Sequence, residues 1–428
     1  MELKKALIVS YYWPPAGGPG VQRWLYFSRY LKEFGVQPVI YTPENPHYPI
    51  LDPALELLIP DDLPVYRKKI WEPYHLASWI SPAKTRRISS GIINREQPSA
   101  LERLLLWIRG NLFIPDARKF WVRPSVTFLA GILKREGIDM VITTGPPHSL
   151  HLIGMSLREQ TGVRWIADFR DPWTSIGYHK ALHLSKRAQM KHKALEHQVL
   201  SRADAIITTS ERTRKEFQGI TSRPIHVITN GYVEGPFKKD QPEGKFRLAH
   251  IGSLLSGRNP VSLWKALSTL RQEYPEFARD LEIDLTGVVS EEVLDSIEEH
   301  GLETCLRVTP YVPHARALEL QQKAQVLLLL EIDAPETTGI IPGKLFEYMA
   351  ASRPVLAIGP VGWEAGQLVV ETQCGAAFRY RDEEGIRTTL LDWYRKYREG
   401  VLEVKGKGIG AYHRKALTER LVKEILWV

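Results

Sequence analysis

Cysteine is scarce: Cys305 and Cys374 are the only two among 428 residues. They lie far apart in sequence, which argues against a disulfide framework and fits a reducing, cytoplasmic setting. No run of about 18 apolar residues occurs, so no spanning helix is expected. The opening "MELKKALIVSYYW" passes directly into a strand-like stretch without a cleavable small-residue site, so no signal peptide is expected either. The thirteen histidines form no ligand pattern, and no metal is expected. No short-period repeat and no DNA- or RNA-binding motif stands out.

What is present is a soluble-type composition, 43% hydrophobic and 25% charged, with a net charge of +8. The excess of cations attracts something anionic: nucleic acid, an acidic lipid surface or a phosphorylated small molecule. A chain this long exceeds one ordinary domain. The first half alternates strand-like and helix-like segments. "KALIVSYYW", "VQPVIYTP", "IDMVITTG", "RWIADFRD" and "ADAIITTS" are short apolar or β-branched runs, and "VQRWLYFSRYLKEFG" spaces its apolar residues helically with Gly35 as a C-terminal cap. The second half repeats the scheme with "FRLAHIGSL", "LEIDLTG", "RVTPYV", "QVLLLLE" and "PVLAIGP". "SRPIHVITNGYVEGPFKKDQPEGKF" reads as the connector between halves, and "AYHRKALTERLVKEILWV" as an amphipathic helix. Alternation of this kind gives parallel sheets covered by helices, here two doubly wound α/β domains with a cleft between them. Ligands of such sheets bind beyond the carboxyl ends of the strands.

Two stretches bear on chemistry. "YYWPPAGGPGVQR" places bare backbone between the first strand and its helix, which suits either a tight turn or close contact with a ligand. "IIPGKLFEYMAASRPVLAIGP" puts Lys344 in the first turn of a short helix, where the helix dipole is already positive. The penalty is only about 0.3–1 kcal/mol. It makes sense if a phosphate sits there, taking the lysine and the free N–H groups around Gly343 and Leu345. Glu347, at i+3, then suits a hydroxylated group such as a ribose. Spacing alone also allows Lys344 to face water and Glu347 to pair with it. "HIGSLLSGRNP" adds Gly252, Ser253 and Arg258 at another strand end, with a solvated Arg258 as the plainer alternative.

Taken in order, "SYYWPPAGGPGVQR", "TTGPPHSLHLIG", "ADFRDPW", "ITTSERT", "ITNGY", "HIGSL" and "PGKLFEYMAASRPVLAIG" resemble bacterial glycosyltransferases of family 4. The likeness runs from about residue 4 to the last helix. It implies the GT-B fold, two Rossmann-like domains holding a nucleotide sugar in their cleft, and transfer with retention and without a metal or other cofactor. It divides the chain at 1–228, 229–408 and 409–428, the last a helix crossing back to the first domain. It implies that Gly17 and Gly18 approach the donor diphosphate and that Arg258 neutralises it. Glu347 would bind the ribose, and "YVPH", with Tyr311 and His314, would lie at the base. Two positions depart from the family pattern. Gly339 stands where a sugar-contacting glutamate is common, and Ser253 where an arginine is common; Lys344 would replace the missing charge.

In the first half, His148, Asp168, Arg170 and Asp171 close strand ends and are candidates for acceptor orientation or catalysis alongside Arg258 and Lys344. The plainer alternatives are a backbone-satisfied His148 and a structural ion pair among the other three. The basic, aromatic segment "AKTRRISSGIINREQPSALERLLLWIRGNLFIPDARKFWVRPS" suits peripheral contact with anionic membrane or an ordinary sheet-covering helix. The expectation is therefore a cytoplasmic hexosyltransferase of polysaccharide or cell-envelope synthesis, acting on a glycan or lipid-linked acceptor at the inner membrane face and binding no nucleic acid. A nucleotide-sugar epimerase or phosphorylase of the same fold, or a basic nucleic-acid-binding protein, are the rivals.

Overall fold

The computed structural model describes residues 3–72, 100–177, 179, 182–233 and 244–427. The chain forms two compact units, Met1–Asn230 with Arg414–Val428, and Gly231–His413. Part of the basic segment (83–99) and part of the connector (234–243) lie outside the described residues.

The first unit holds seven parallel strands: β1 (Lys4–Val9), β2 (Val36–Pro43), β3 (Val65–Lys68), β4 (Met140–Gly145), β5 (Arg164–Phe169), β6 (Ala205–Thr208) and β7 (Ile225–Val227). Their order is β3-β2-β1-β4-β5-β6-β7. Side chains alternate across a strand, and β1 uses both faces. Leu7 and Val9 join a core with Val141, Ile153 and Trp165, whereas Ala6 and Ile8 join another with Trp24, Ile142 and Ile166. Burial on both faces is why these strands read as continuous apolar runs. The helix Pro19–Tyr30 continues as a 3₁₀ turn to Phe34 and ends at Gly35, whose φ of 81° suits the cap position expected of it.

Two segments differ from expectation. The stretch taken as connector contributes β7, because its short β-branched "IHV" completes the sheet edge against β6. The terminal segment is helical only over Arg414–Leu421 and then widens into a π turn, Val422–Leu426. Arg164 donates to the carbonyls of Ile425 (2.6 Å) and Leu426 (3.0 Å) and so satisfies the end of that turn. Leu417, Leu421 and Ile425 lie in the same core as Trp24 and Leu25.

The second unit has six parallel strands: β8 (Phe246–Ile251), β9 (Leu281–Thr286), β10 (Leu306–Thr309), β11 (Val326–Leu330), β12 (Val355–Gly359) and β13 (Gly375–Arg379). Their order is β10-β9-β8-β11-β12-β13. The reversal of chain order between β8 and β11 is the switch point at which such sheets place their ligands.

Candidate active site

β8 ends at Ile251, and the backbone swings through Gly252 with φ 121°. The Gly252 N–H donates to Thr286 O at 2.7 Å, at the end of β9. Gly287 follows with the same φ, and a Cβ added there would lie 2.8 Å from the Gly252 carbonyl carbon. Two glycines thus let adjacent strand ends close on each other. The loop beyond carries an exposed Ser253 and then Arg258, whose Nε and Nη2 donate to Glu331 Oε1 at 3.1 and 3.0 Å. Glu331, directly after β11, is buried, with 1% of its side chain accessible against 28% for Arg258.

The helix Lys344–Ala350 forms behind Pro342 and Gly343 and buries Leu345, Phe346, Tyr348 and Met349. Lys344 folds toward β8, where its Nζ donates to His250 Nε2 (3.1 Å) and to Ile251 O (3.2 Å). Among the described residues no carboxylate pairs with it. Burial first, then the charge of Arg258, push the Lys344 ammonium down to about 7, although Glu331 and Glu347 oppose the shift. His250 is wholly buried, and its Nδ1–H donates to Leu328 O at 3.1 Å. That contact leaves Nε2 as a lone-pair acceptor for Lys344. Burial, reinforced by Lys344, holds His250 well below the ordinary histidine value, so the ring is neutral. Glu347 turns away from Lys344: Oε1 accepts from His314 Nε2 (2.8 Å) and Oε2 from Gln321 Nε2 (2.9 Å). Tyr311 is exposed and stands just before the His314 helix.

In the first unit, Asp168 is fully buried. It accepts from Arg23 Nε (3.1 Å) and Nη2 (2.8 Å), Trp24 Nε1 (2.7 Å) and Thr144 Oγ1 (2.9 Å). Burial alone would raise its pKa, but the Arg23 charge and these hydrogen bonds outweigh that and hold it below the usual carboxylate range. Arg170 donates to Gly145 O at 3.3 Å and to Pro146 O, and a Cβ on Gly20 would run into its guanidinium. Asp171 beside it is half-buried, and burial raises its pKa against the pull of Arg170. His148 is buried and stacked on Trp173, with centroids 4.7 Å apart and planes at 3°. Neither of its ring nitrogens has a hydrogen-bond partner among the described residues, and burial holds the ring neutral.

The model of the glycosyl transferase 4-like domain family matches residues 17–231, just over half of the chain. The chain belongs to the glycosyl transferase 4-like family. No curated protein matches it. A solved glycosyltransferase from Rickettsia africae shares 13% identity over 99% of this chain and 98% of its own, with a TM-score of 0.61. Anabaena HepE, solved in complex with UDP-glucose, shares 13% identity over 99% of this chain and 100% of its own, at 0.60. WaaG, a glycosyltransferase involved in lipopolysaccharide biosynthesis, shares 12% identity over 98% of this chain and 95% of its own, at 0.53. The fold is GT-B, with two Rossmann-like α/β units.

For this glycosyl transferase 4-like protein the structure sorts the expected residues. Gly252, Ser253, Arg258, Gly343 and Lys344 gather at the carboxyl ends of the central strands β8 and β11, and Glu347 and His314 meet beside them. Three expectations need correction. Asp168 is no catalytic group, because its carboxylate is enclosed and engaged by Arg23, Trp24 and Thr144. Gly17 does not offer its N–H to a ligand: it donates to Ile50 O at 2.9 Å, and Ile50 Cγ2 would stand 2.8 Å from a Cβ there. Gly18, with φ 90° and open space around it, remains suited to close approach. Leu345 packs in the core and gives its N–H to Pro342 O. Sequence reasoning missed His250, Glu331 and Gln321. The signal for Glu331 was a lone ionisable residue just past the end of an otherwise apolar strand, in "VLLLLE", and for His250 a histidine next to the end of "FRLAHI".

Proposed function

We propose that the protein moves a hexose, with retention, from a nucleoside diphosphate to a hydroxyl of a glycan or lipid-linked glycan. One observation carries this reading: Lys344 stands at the carboxyl end of β8 with no carboxylate paired to it among the described residues, next to Arg258, whose ion pair among them is with Glu331. A partly buried amine held by neutral acceptors carries a charge at a cost that an arriving anion removes. The diphosphate of a sugar donor supplies two negative charges. As the sugar–phosphate bond breaks, charge grows on the departing phosphate, and two preorganised cations stabilise it without a metal ion. In a retaining transfer of this type the departing phosphate itself takes the acceptor proton. Glu347, positioned by His314 and Gln321, is the group placed at the ribose hydroxyls, for which a carboxylate is an acceptor. The likeness to HepE, solved with UDP-glucose, supports a nucleotide-sugar donor.

The test is Lys344→Ala with binding measured for nucleoside diphosphates and for the matching nucleosides. Diphosphate affinity falls by about tenfold or more, as for loss of a charged hydrogen-bonding group, while nucleoside affinity is unchanged. Equal losses would remove Lys344 from the phosphate site. Donor consumed without an acceptor would move the reading to the epimerase class.

Peripheral membrane contact is part of the same reading. The helix Ala100–Leu112 exposes Leu104, Trp107 and Leu112, and Phe120 and Trp71 form an exposed edge-to-face pair nearby. Lys119 lies over the rings of Phe113 and Phe120. Exposed aromatics interleaved with cations suit an anionic bilayer surface. Among the described residues no helix is long and apolar enough to cross a membrane.

A further inference from the structure

Lys344 and His250 form a pair that the transfer reaction does not by itself explain. A lysine that only binds phosphate needs no histidine behind it. Here the imidazole is fixed in one tautomer, since Nδ1–H is committed to Leu328 O, and Nε2 points its lone pair at the Lys344 amine. Were His250 to gain a proton at Nε2, an N–H would face the Lys344 nitrogen and the contact would break. The proton that moves in this pair therefore belongs to Lys344.

The groups around the amine leave it short of negative charge. From the loop after β8, Arg258 adds a like charge. From the end of β11, Glu331 is bound to Arg258 and to the Ile332 N–H (2.9 Å). On the helix of Lys344 itself, Glu347 is held by His314 and Gln321, and the Tyr348 hydroxyl accepts the Ile251 N–H at 3.1 Å. Beyond β13, the Tyr380 hydroxyl donates to Glu331 O at 2.6 Å. None of these carboxylates pairs with Lys344.

We propose that His250 is a positioning residue which makes donor capture proton-linked: it holds Lys344 beneath the Gly252 turn as an amine that takes up one proton when the diphosphate arrives. The inference rests on the transferase reading above and deepens it. The reaction balances as a protonation alone: free Lys344–NH2, a proton from solvent and the donor dianion give Lys344–NH3+ against the diphosphate. The free amine titrates at about 7, so at more alkaline pH each binding event must import the missing proton.

The experiment uses the full chain and the nucleotide sugars UDP-glucose, UDP-N-acetylglucosamine, GDP-mannose and dTDP-glucose, whose diphosphate charge is constant over the range studied. Calorimetric Kd is measured from pH 6.5 to 8.5 in buffers of different ionisation heat. For the sugar nucleotide that binds, Kd rises about 25-fold across that range, the linkage expected of one group titrating near 7. Proton uptake approaches one per site at the alkaline end. Lys344→Arg, which keeps a permanent cation, binds with a flat pH profile and no uptake. His250→Leu raises the donor KM about tenfold at neutral pH with kcat little changed, as for one lost hydrogen bond to a charged group. His250→Gln, which restores an acceptor at the ε position, recovers most of that loss; melting temperatures verify folding of both. Binding with a flat wild-type profile, or an unchanged slope in Lys344→Arg, overturns the inference and leaves the transferase reading standing. Failure of every nucleotide sugar to bind overturns both.

Discussion

Replacing Asp168 with asparagine separates structure from chemistry in the first unit. Arg23 and Asp168 are almost wholly enclosed, at 1% and 0% side-chain exposure, and their nearest charged atoms are 2.8 Å apart. Asparagine keeps the shape but removes the charge. It also sets an NH2 group against donors that now point at a carboxylate, namely the Arg23 guanidinium, the Trp24 indole N–H and the Thr144 hydroxyl. The Arg23 charge then remains buried with one backbone partner, Thr229 O at 2.9 Å. Breaking a buried pair from one side costs about 3–5 kcal/mol. A whole domain is stable by only about 5–15 kcal/mol. At about 2–4 °C per kcal/mol for units of this size, Asp168→Asn lowers the melting temperature of the first unit by about 6–20 °C. Scanning calorimetry reads this directly. The acid limb should change too. The folded Asp168 pKa is depressed, so its contribution is fully present above the ordinary carboxylate value of about 3.9 and is lost as pH falls through the folded value. The variant should therefore lose less stability on acidification than the wild type. A double variant, Arg23→Met with Asp168→Leu, should be more stable than the sum of the two single losses predicts. An unchanged melting temperature together with abolished transfer would refute this reasoning and return Asp168 to the chemistry.

Gly287→Ala should cost about 1–3 kcal/mol and weaken donor binding. The new methyl would meet the Gly252 carbonyl at a φ of 121°, displacing the turn that leads to Arg258; a thermal melt and a donor Kd check it. His148→Phe keeps the stack on Trp173 and removes two unpartnered ring nitrogens, so melting should be unchanged or higher. Transfer to acceptor should nonetheless drop while donor binding holds, and unaltered transfer would make His148 purely structural. Vesicles containing anionic lipid should sediment the protein at low salt, with Trp107→Asp reducing the bound fraction; equal sedimentation of both would clear the Ala100–Leu112 helix of that role.

Much of the architecture was legible because each buried strand announces itself. Strands enclosed by helices on both sides, such as "VLLLL" and "VLAIG", are apolar throughout, and the glycines at their ends mark where they turn. The second-unit site was legible at Arg258 and Lys344, whose positions follow from local signals at strand and helix ends. Their partners His250 and Glu331 were not, nor was the Gln321 partner of Glu347, because each pair joins segments dozens of residues apart and no short-range pattern links them. Asp168 misled for the opposite reason. A carboxylate closing a parallel strand looks alike whether it faces a ligand or an inward arginine, and only packing distinguishes the two. β7 was missed because three residues carry too little periodicity to outweigh the prolines and glycines around them.

The return of Arg414–Val428 to the first unit has a bearing on synthesis. While the ribosome is still making residues 231–413, the apolar face that awaits Leu417, Leu421 and Ile425 has no cover. At translation speeds of about 5–20 residues per second that interval lasts about 10–40 s. Throughout it, that face of the nascent first unit is open to contacts other than the native one.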